Sequence, residues 1–204
     1  MVVPPETPVK DPWLLHETAD AGMDYQNKLI FLGDSTTAGM IAYKVLPGEE
    51  NTKQVWRGAE GNTITFLYVE DVKILYPETD ERLTILEAVA RKKPEYLVVT
   101  LGVTGGVSQD LKKESFLGLY KWLLDGIMKQ SPDTTLIVQS IFPVNEEIWD
   151  SYKRITNEKI AMTNEWIKEM VAAYHADGKK IFYADTYPAL LDEKGYMKKE
   201  YGNG

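Results

Sequence analysis

The chain has 204 residues, 44% hydrophobic and 26% charged, enough for one globular domain with a substantial core and short for two. Its 23 Lys and Arg are outnumbered by 31 Asp and Glu, a net charge of -8, so a nucleic-acid backbone or an anionic membrane surface is disfavoured as a partner, since either needs a concentrated positive face. There is no cysteine and there are only two histidines, His16 and His175, which excludes disulfides, thiolate zinc sites, a Cys nucleophile and a His-rich metal centre; no metal or cofactor is expected.

The chain opens with Pro4, Pro5, Pro8 and Pro12 in an extended, linker-like stretch. Residues 1–27 are expected to form a proline-rich linker or N-terminal extension, and 28–204 the domain. An apolar strand is predicted over 28–32, ending at Gly33, and a short helix over 37–44. A weaker strand over 53–57 runs into Arg57-Gly58-Ala59-Glu60-Gly61-Asn62-Thr63. Composition predicts a helix over 81–92, closed by Pro94, and the β-branched run over 96–101 is a buried strand ending in Gly102-Val103-Thr104-Gly105-Gly106. Phe116, Leu119, Tyr120, Leu123, Leu124 and Ile127 share one helical stripe, stopped by Ser131-Pro132. A strand over 135–142, a helix over about 156–176 and a last strand over 180–184 complete the pattern. Strands alternating with helices imply a parallel sheet covered on both faces. No stretch approaches the roughly 20 apolar residues of a membrane span, so no membrane insertion is expected.

In an open parallel sheet ligands bind beyond the carboxyl ends of the strands. Three predicted ends carry small or polar residues: Gly33-Asp34-Ser35, Gly58 to Gly61, and Gly102 to Gly106. Ser35 at a strand-to-helix turn is either an N-cap or a nucleophile facing amides that could stabilise an oxyanion.

These residues resemble the blocks of the SGNH (GDSL-like) hydrolase family. Gly33-Asp34-Ser35 resembles the first block, Gly61 in "RGAEGNT" the second-block glycine, and Thr100-Leu101-Gly102-Val103-Thr104-Gly105 the third block, normally G-x-N-D. The resemblance implies a flavodoxin-like three-layer α/β/α domain with about five parallel strands, and hydrolysis of an ester through an acyl-Ser intermediate. It implies Ser35 as nucleophile and oxyanion N–H donor, Gly61 as a second N–H donor, and Thr104 at the position of the oxyanion Asn. Gly33, Asp34, Gly102 and Gly105 support them.

Two departures matter. Thr104 offers a hydroxyl on a shorter side chain in place of an amide, and Gly105 stands where the family has Asp. The family's closing D-x-x-H block, which supplies the general base, has no match: His175 ends a predicted helix and His16 lies in or beside the linker. The chain closes on "DEKGYMKKEYGNG", which looks like the approach to that block. The expectation is therefore a fragment cut just before the catalytic Asp and His, itself inactive or nearly so. The alternative is a catalytically silent ligand-binding domain on the same fold.

Other constellations are weaker. Asp177, Asp185, Asp192 and Glu193 could supply a carboxylate pair for glycoside hydrolysis. Trp122, Trp149 and Trp166 could line a carbohydrate site, and Gly102, Gly105 and Gly106 could cradle a phosphate, although the spacing fits no phosphate-loop pattern. The expected substrate is a small-molecule or polymer ester, an acylated carbohydrate, lipid or envelope polymer by family analogy. The expected setting is extracellular or cell-envelope and bacterial, with the cytoplasm as alternative.

Overall fold

A computed structural model of the protein describes residues 11–147 and 153–201. Five parallel strands form the central sheet: β1 (Leu29–Gly33), β2 (Val55–Trp56), β5 (Tyr96–Thr100), β6 (Thr135–Gln139) and β7 (Ile181–Ala184), in the order β2-β1-β5-β6-β7. A two-stranded antiparallel sheet, β3 (Lys73–Tyr76) and β4 (Glu81–Thr84), lies between β2 and β5 in sequence. The helices are α1 (Gly22–Gln26), α2 (Ser35–Ala42), α3 (Ile85–Lys92), α4 (Lys113–Gln130), α5 (Asn157–Ala176) and α6 (Tyr187–Leu190). This is the α/β architecture expected from the sequence.

Right-handed crossovers dictate the layers. The step from β1 to β2 runs one way along the sheet and the step back to β5 the other, so α2 lies on one face. Helices α3, α4 and α5 pack in sequence on the opposite face. Alternate strand residues feed the larger core: Ile30 and Leu32, Leu97 and Val99, Leu136 and Val138 meet Phe116, Tyr120, Leu123 and Ile127 of α4 and Ile160, Ile167 and Val171 of α5.

Several element boundaries depart from the sequence reading, the strand predicted over 53–57 shrinking to Val55–Trp56, and three of the departures have a clear local cause. The helix predicted over 81–92 begins only at Ile85, because Thr84 and Glu87 close a capping box (Thr84 N–H to Glu87 Oε2 2.7 Å, Glu87 N–H to Thr84 Oγ1 3.3 Å). Residues before the cap stay extended and pair with β3. The strand predicted over 135–142 stops at Gln139, since Asn164 of α5 takes over both backbone groups of Ile141, accepting at 2.8 Å and donating at 2.9 Å. The first domain helix starts at Ser35, two residues earlier than predicted, because Asp34 caps it.

Within the segment read as an N-terminal extension, Leu14 bridges Tyr183 in parallel at the outer edge of β7. Tyr183 N–H donates to Trp13 O and Leu15 N–H to Tyr183 O, both at 2.8 Å. Among the described residues no helix is long and apolar enough to cross a membrane.

Candidate active site

Two of the three strand ends singled out in the sequence are stitched together. Asp34 follows β1 as the N-cap of α2, and its Oδ1 accepts from Thr36 N–H at 3.1 Å and Thr36 Oγ1 at 2.9 Å. The same buried carboxylate, 3% exposed, accepts the backbone N–H of Thr104. Burial pushes the Asp34 carboxyl above its ordinary range, and the hydrogen bonds from Thr36 and Thr104 pull it back in part. Thr104 in turn accepts from Phe66 N–H at 2.8 Å. The loop after β5 is thus fastened on one side to the start of α2 and on the other to the segment following the second block.

Close packing explains the glycines here. A Cβ on Gly33 would lie 1.9 Å from Thr37 Oγ1 and 2.7 Å from Thr100 O. One on Gly105, whose φ is +83°, would lie 2.8 Å from Leu67 N. Gly102 is filled against the Phe116 ring, whose Cζ would be 2.7 Å from a Cβ. Gly61 differs: it sits on an exposed turn with φ +65° and open space where a Cβ would go.

Ser35 itself is exposed at the first position of α2, at the carboxyl end of β1, and Thr104 is half-buried. Among the described residues neither hydroxyl makes a hydrogen bond with another group. Both are free to meet a ligand.

The histidines lie elsewhere. His175 ends α5 with Nδ1 3.0 Å from Ile181 O and its ring edge-on to Phe182 at 5.2 Å. Ile181 begins β7, so His175 occupies the opposite end of the sheet from Ser35. His16 follows the Leu14 bridge on the far edge, four strand positions from β1, which at ~4.8 Å per strand is about 19 Å.

A row of polar groups at the strand ends escaped the sequence reading. Thr100 Oγ1 donates to Gln139 Oε1 at 2.8 Å, and Gln139 Nε2 donates to Thr186 Oγ1 at 3.3 Å. Ser140 Oγ, fully buried, accepts from the N–H groups of Thr186 at 3.0 Å and Tyr187 at 2.9 Å. The only sequence signal was that Gln139 and Ser140 interrupt an apolar run.

The weaker constellations do not assemble. Asp185 pairs with Lys168 at 3.5 Å, Asp192 accepts from the N–H groups of Lys194 and Tyr196 at 2.9 Å each, and Asp177 closes α5 at the far end of the sheet. The Gly102–Gly106 loop is closed on itself, with Val107 N–H on Gly102 O at 2.8 Å and Gly105 N–H on Ser108 Oγ at 2.9 Å, which leaves little for a phosphate. Trp122 is partly exposed on α4, Trp166 packs edge-on to Phe116 at 6.2 Å, and Trp149 lies outside the described residues.

Comparison with known proteins bears on the family and the fold. Residues 31–204 match the model of the GDSL-like lipase/acylhydrolase family. Among solved structures, the chain is similar to a proposed platelet activating factor from Streptococcus pneumonia, with TM-score 0.57 and 20% identity over 89% of this chain and 80% of that one. Two structures of a family two carbohydrate esterase from Clostridium thermocellum, one of them an active-site mutant, give TM-score 0.48 at 14% and 15% identity; 78% of this chain covers 53% of each. No curated protein matches the chain.

Proposed function

The chain belongs to the GDSL-like lipase/acylhydrolase family of esterase-type hydrolases, and from that premise we propose that it cleaves an ester through an acyl intermediate on Ser35. The Ser35 oxygen attacks the carbonyl carbon and its proton passes to a base. The carbonyl oxygen, now negative, is met by the N–H groups of Ser35 and Gly61 and by the Thr104 hydroxyl. Collapse releases the alcohol, and water then cleaves the acyl-Ser bond. The observation that carries this reading is the Asp34 carboxylate, which joins the start of α2 to the Thr104 backbone while the Ser35 and Thr104 hydroxyls stay free. Losing one oxyanion donor costs roughly 100- to 1,000-fold in rate, so a Thr in place of an amide donor lowers the ceiling on this chain's activity. The substrate is an acylated carbohydrate, lipid or envelope polymer, and the setting extracellular or cell-envelope; family analogy supports both.

Neither histidine stands beside Ser35, so a base other than these two must take its proton, and chemical rescue with an added base tests the rest. Imidazole added to the protein with p-nitrophenyl acetate should raise the hydrolysis rate well above that of Ser35→Ala under the same conditions. Equal imidazole dependence in the two proteins would refute an acyl-Ser35 route. The position of the histidines favours the second reading, a catalytically silent ligand-binding domain. On that reading Ser35→Ala leaves ligand affinity intact and imidazole rescues nothing.

A further inference from the structure

A cleft of about 310 Å³ opens between the N-terminal parts of α4 and α5, at the lower end of the range for small-molecule sites. One wall is apolar and partly wet: Trp166 is half-buried and edge-on to Phe116 at 6.2 Å, and Met162 beside it is 49% exposed. The other wall carries Lys112, Lys113 and Lys159. On a chain whose net charge is -8, this is a local reversal of sign.

The three ammonium groups are not equivalent. Lys159 is held by Asp110 and by Arg154 O, and Lys113 by Glu169 at 2.7 Å. Lys112 is exposed, lines the cleft and makes no ion pair or hydrogen bond through its side chain among the described residues. The lining therefore combines one uncommitted cation, an aromatic side chain and, in Asp110, a carboxylate that also holds Lys159. A ring whose C–H face lies on Trp166, whose carboxylate meets Lys112 and whose hydroxyls reach Asp110 satisfies all three. A plain acyl chain would leave the charged wall unused.

We propose that this cleft binds an acidic saccharide, a sugar ring bearing a carboxylate. The site is separate from Ser35 but borders the same loop. Phe116, its floor, packs on Gly102, and Val107 of the cleft directly follows Gly106. A saccharide held here lies beside the segment that carries Thr104.

Isothermal titration with digalacturonate at low ionic strength tests the proposal, with cellobiose as the neutral counterpart. Digalacturonate should bind saturably and more tightly than cellobiose. Lys112→Gln should weaken it about tenfold, the size expected for a lost charged hydrogen bond, and Trp166→Phe should weaken both sugars. Lys112 is exposed, so circular dichroism of that variant should match the parent. Ser35→Ala should bind digalacturonate unchanged, which separates this site from the ester-cleavage reading: hydrolysis that survives in Ser35→Ala while binding stays intact overturns only that reading. No saturable digalacturonate binding, equal affinity for cellobiose, or unchanged affinity in Lys112→Gln would overturn the cleft's assignment.

Discussion

Two turns at the same end of the sheet, at Gly33 and at Gly61, need glycine for opposite reasons. Gly33 has an ordinary backbone but no room, since Thr37 and the Thr100 carbonyl stand where a Cβ would go. Gly61 has all the room a side chain could want but a φ of +65°. Around Gly33 the chain is interlocked: Asp34 binds Thr36 and Thr104, and Thr104 binds Phe66. Around Gly61 the turn is exposed and its neighbour Glu60 is tied only at the surface, by Arg82 at 2.9 Å. The contrast teaches that the candidate site has a half interlocked at its glycine and a half anchored at its base, where Ala59 N–H donates to Lys73 O at 2.9 Å and Gly58 bridges Ile74, but open at its tip around Gly61.

The sharpest way to break this comparison is Gly33→Ala. One obstacle is a backbone carbonyl paired into the sheet, which cannot swing aside, so the loss should reach about 3 kcal/mol, the upper part of the usual range for overpacking. Urea denaturation reads it. A loss below about 1 kcal/mol would mean that α2 slides freely on β1, and the interlocked half would not be interlocked.

Asp34→Asn comes next. An Asn has one acceptor oxygen where the carboxylate has two, so the Thr36 donors and the Thr104 N–H would compete for it. Leaving that buried amide unpaired costs about 1–3 kcal/mol. The pH dependence has a definite sign. Because burial raises the Asp34 carboxyl above the ordinary value of 3.8, the folded chain holds that proton more tightly than the unfolded one. Its contribution therefore falls as pH rises from about 3.8 through the raised value. The stability gap between the parent and Asp34→Asn should be wider in acid than at neutral pH. A gap that narrows on acidification would show that hydrogen bonding, not burial, governs Asp34.

Sequence patterns revealed most of the sheet and part of the site, and the physical reasons divide cleanly. Strands such as Tyr96–Thr100 are buried on both faces and so are apolar throughout, which any reading of the chain detects. The β3–β4 hairpin stayed hidden because three of its eight strand residues, Lys73, Glu81 and Arg82, are exposed, and Glu81 to Lys92 has a helix-former's composition. Only the Thr84-x-x-Glu87 box marks the true start of α3. At the site, Ser35 and its flanking glycines announce themselves by residue type. The bonds from Thr104 to Asp34 and from Phe66 to Thr104 do not, since both use backbone groups that every residue carries. The polar row from Thr100 through Gln139 to Thr186 joins residues 39 and 47 positions apart, beyond any local pattern.

The looser half gives the smaller effects. Gly61→Ala meets no atom within 4 Å, so the cost is backbone conformation alone, about 1–2 kcal/mol. Thermal or urea unfolding should place it clearly below Gly33→Ala. The activity readout should run the other way relative to stability. If Gly61 N–H points at the oxyanion only while φ stays positive, Ala at this position should depress Ser35-dependent hydrolysis more than its modest stability loss suggests. Smallest of all is Arg82→Ala, which removes the Glu60 pair. Both side chains are mostly in water, 61% and 84% exposed, where such a pair is worth about 0.5 kcal/mol or less and fades with salt. A larger loss that persists in high salt would mean that the Glu60 side of the turn is packed in place, and the distinction between an interlocked half and one open at its tip would collapse.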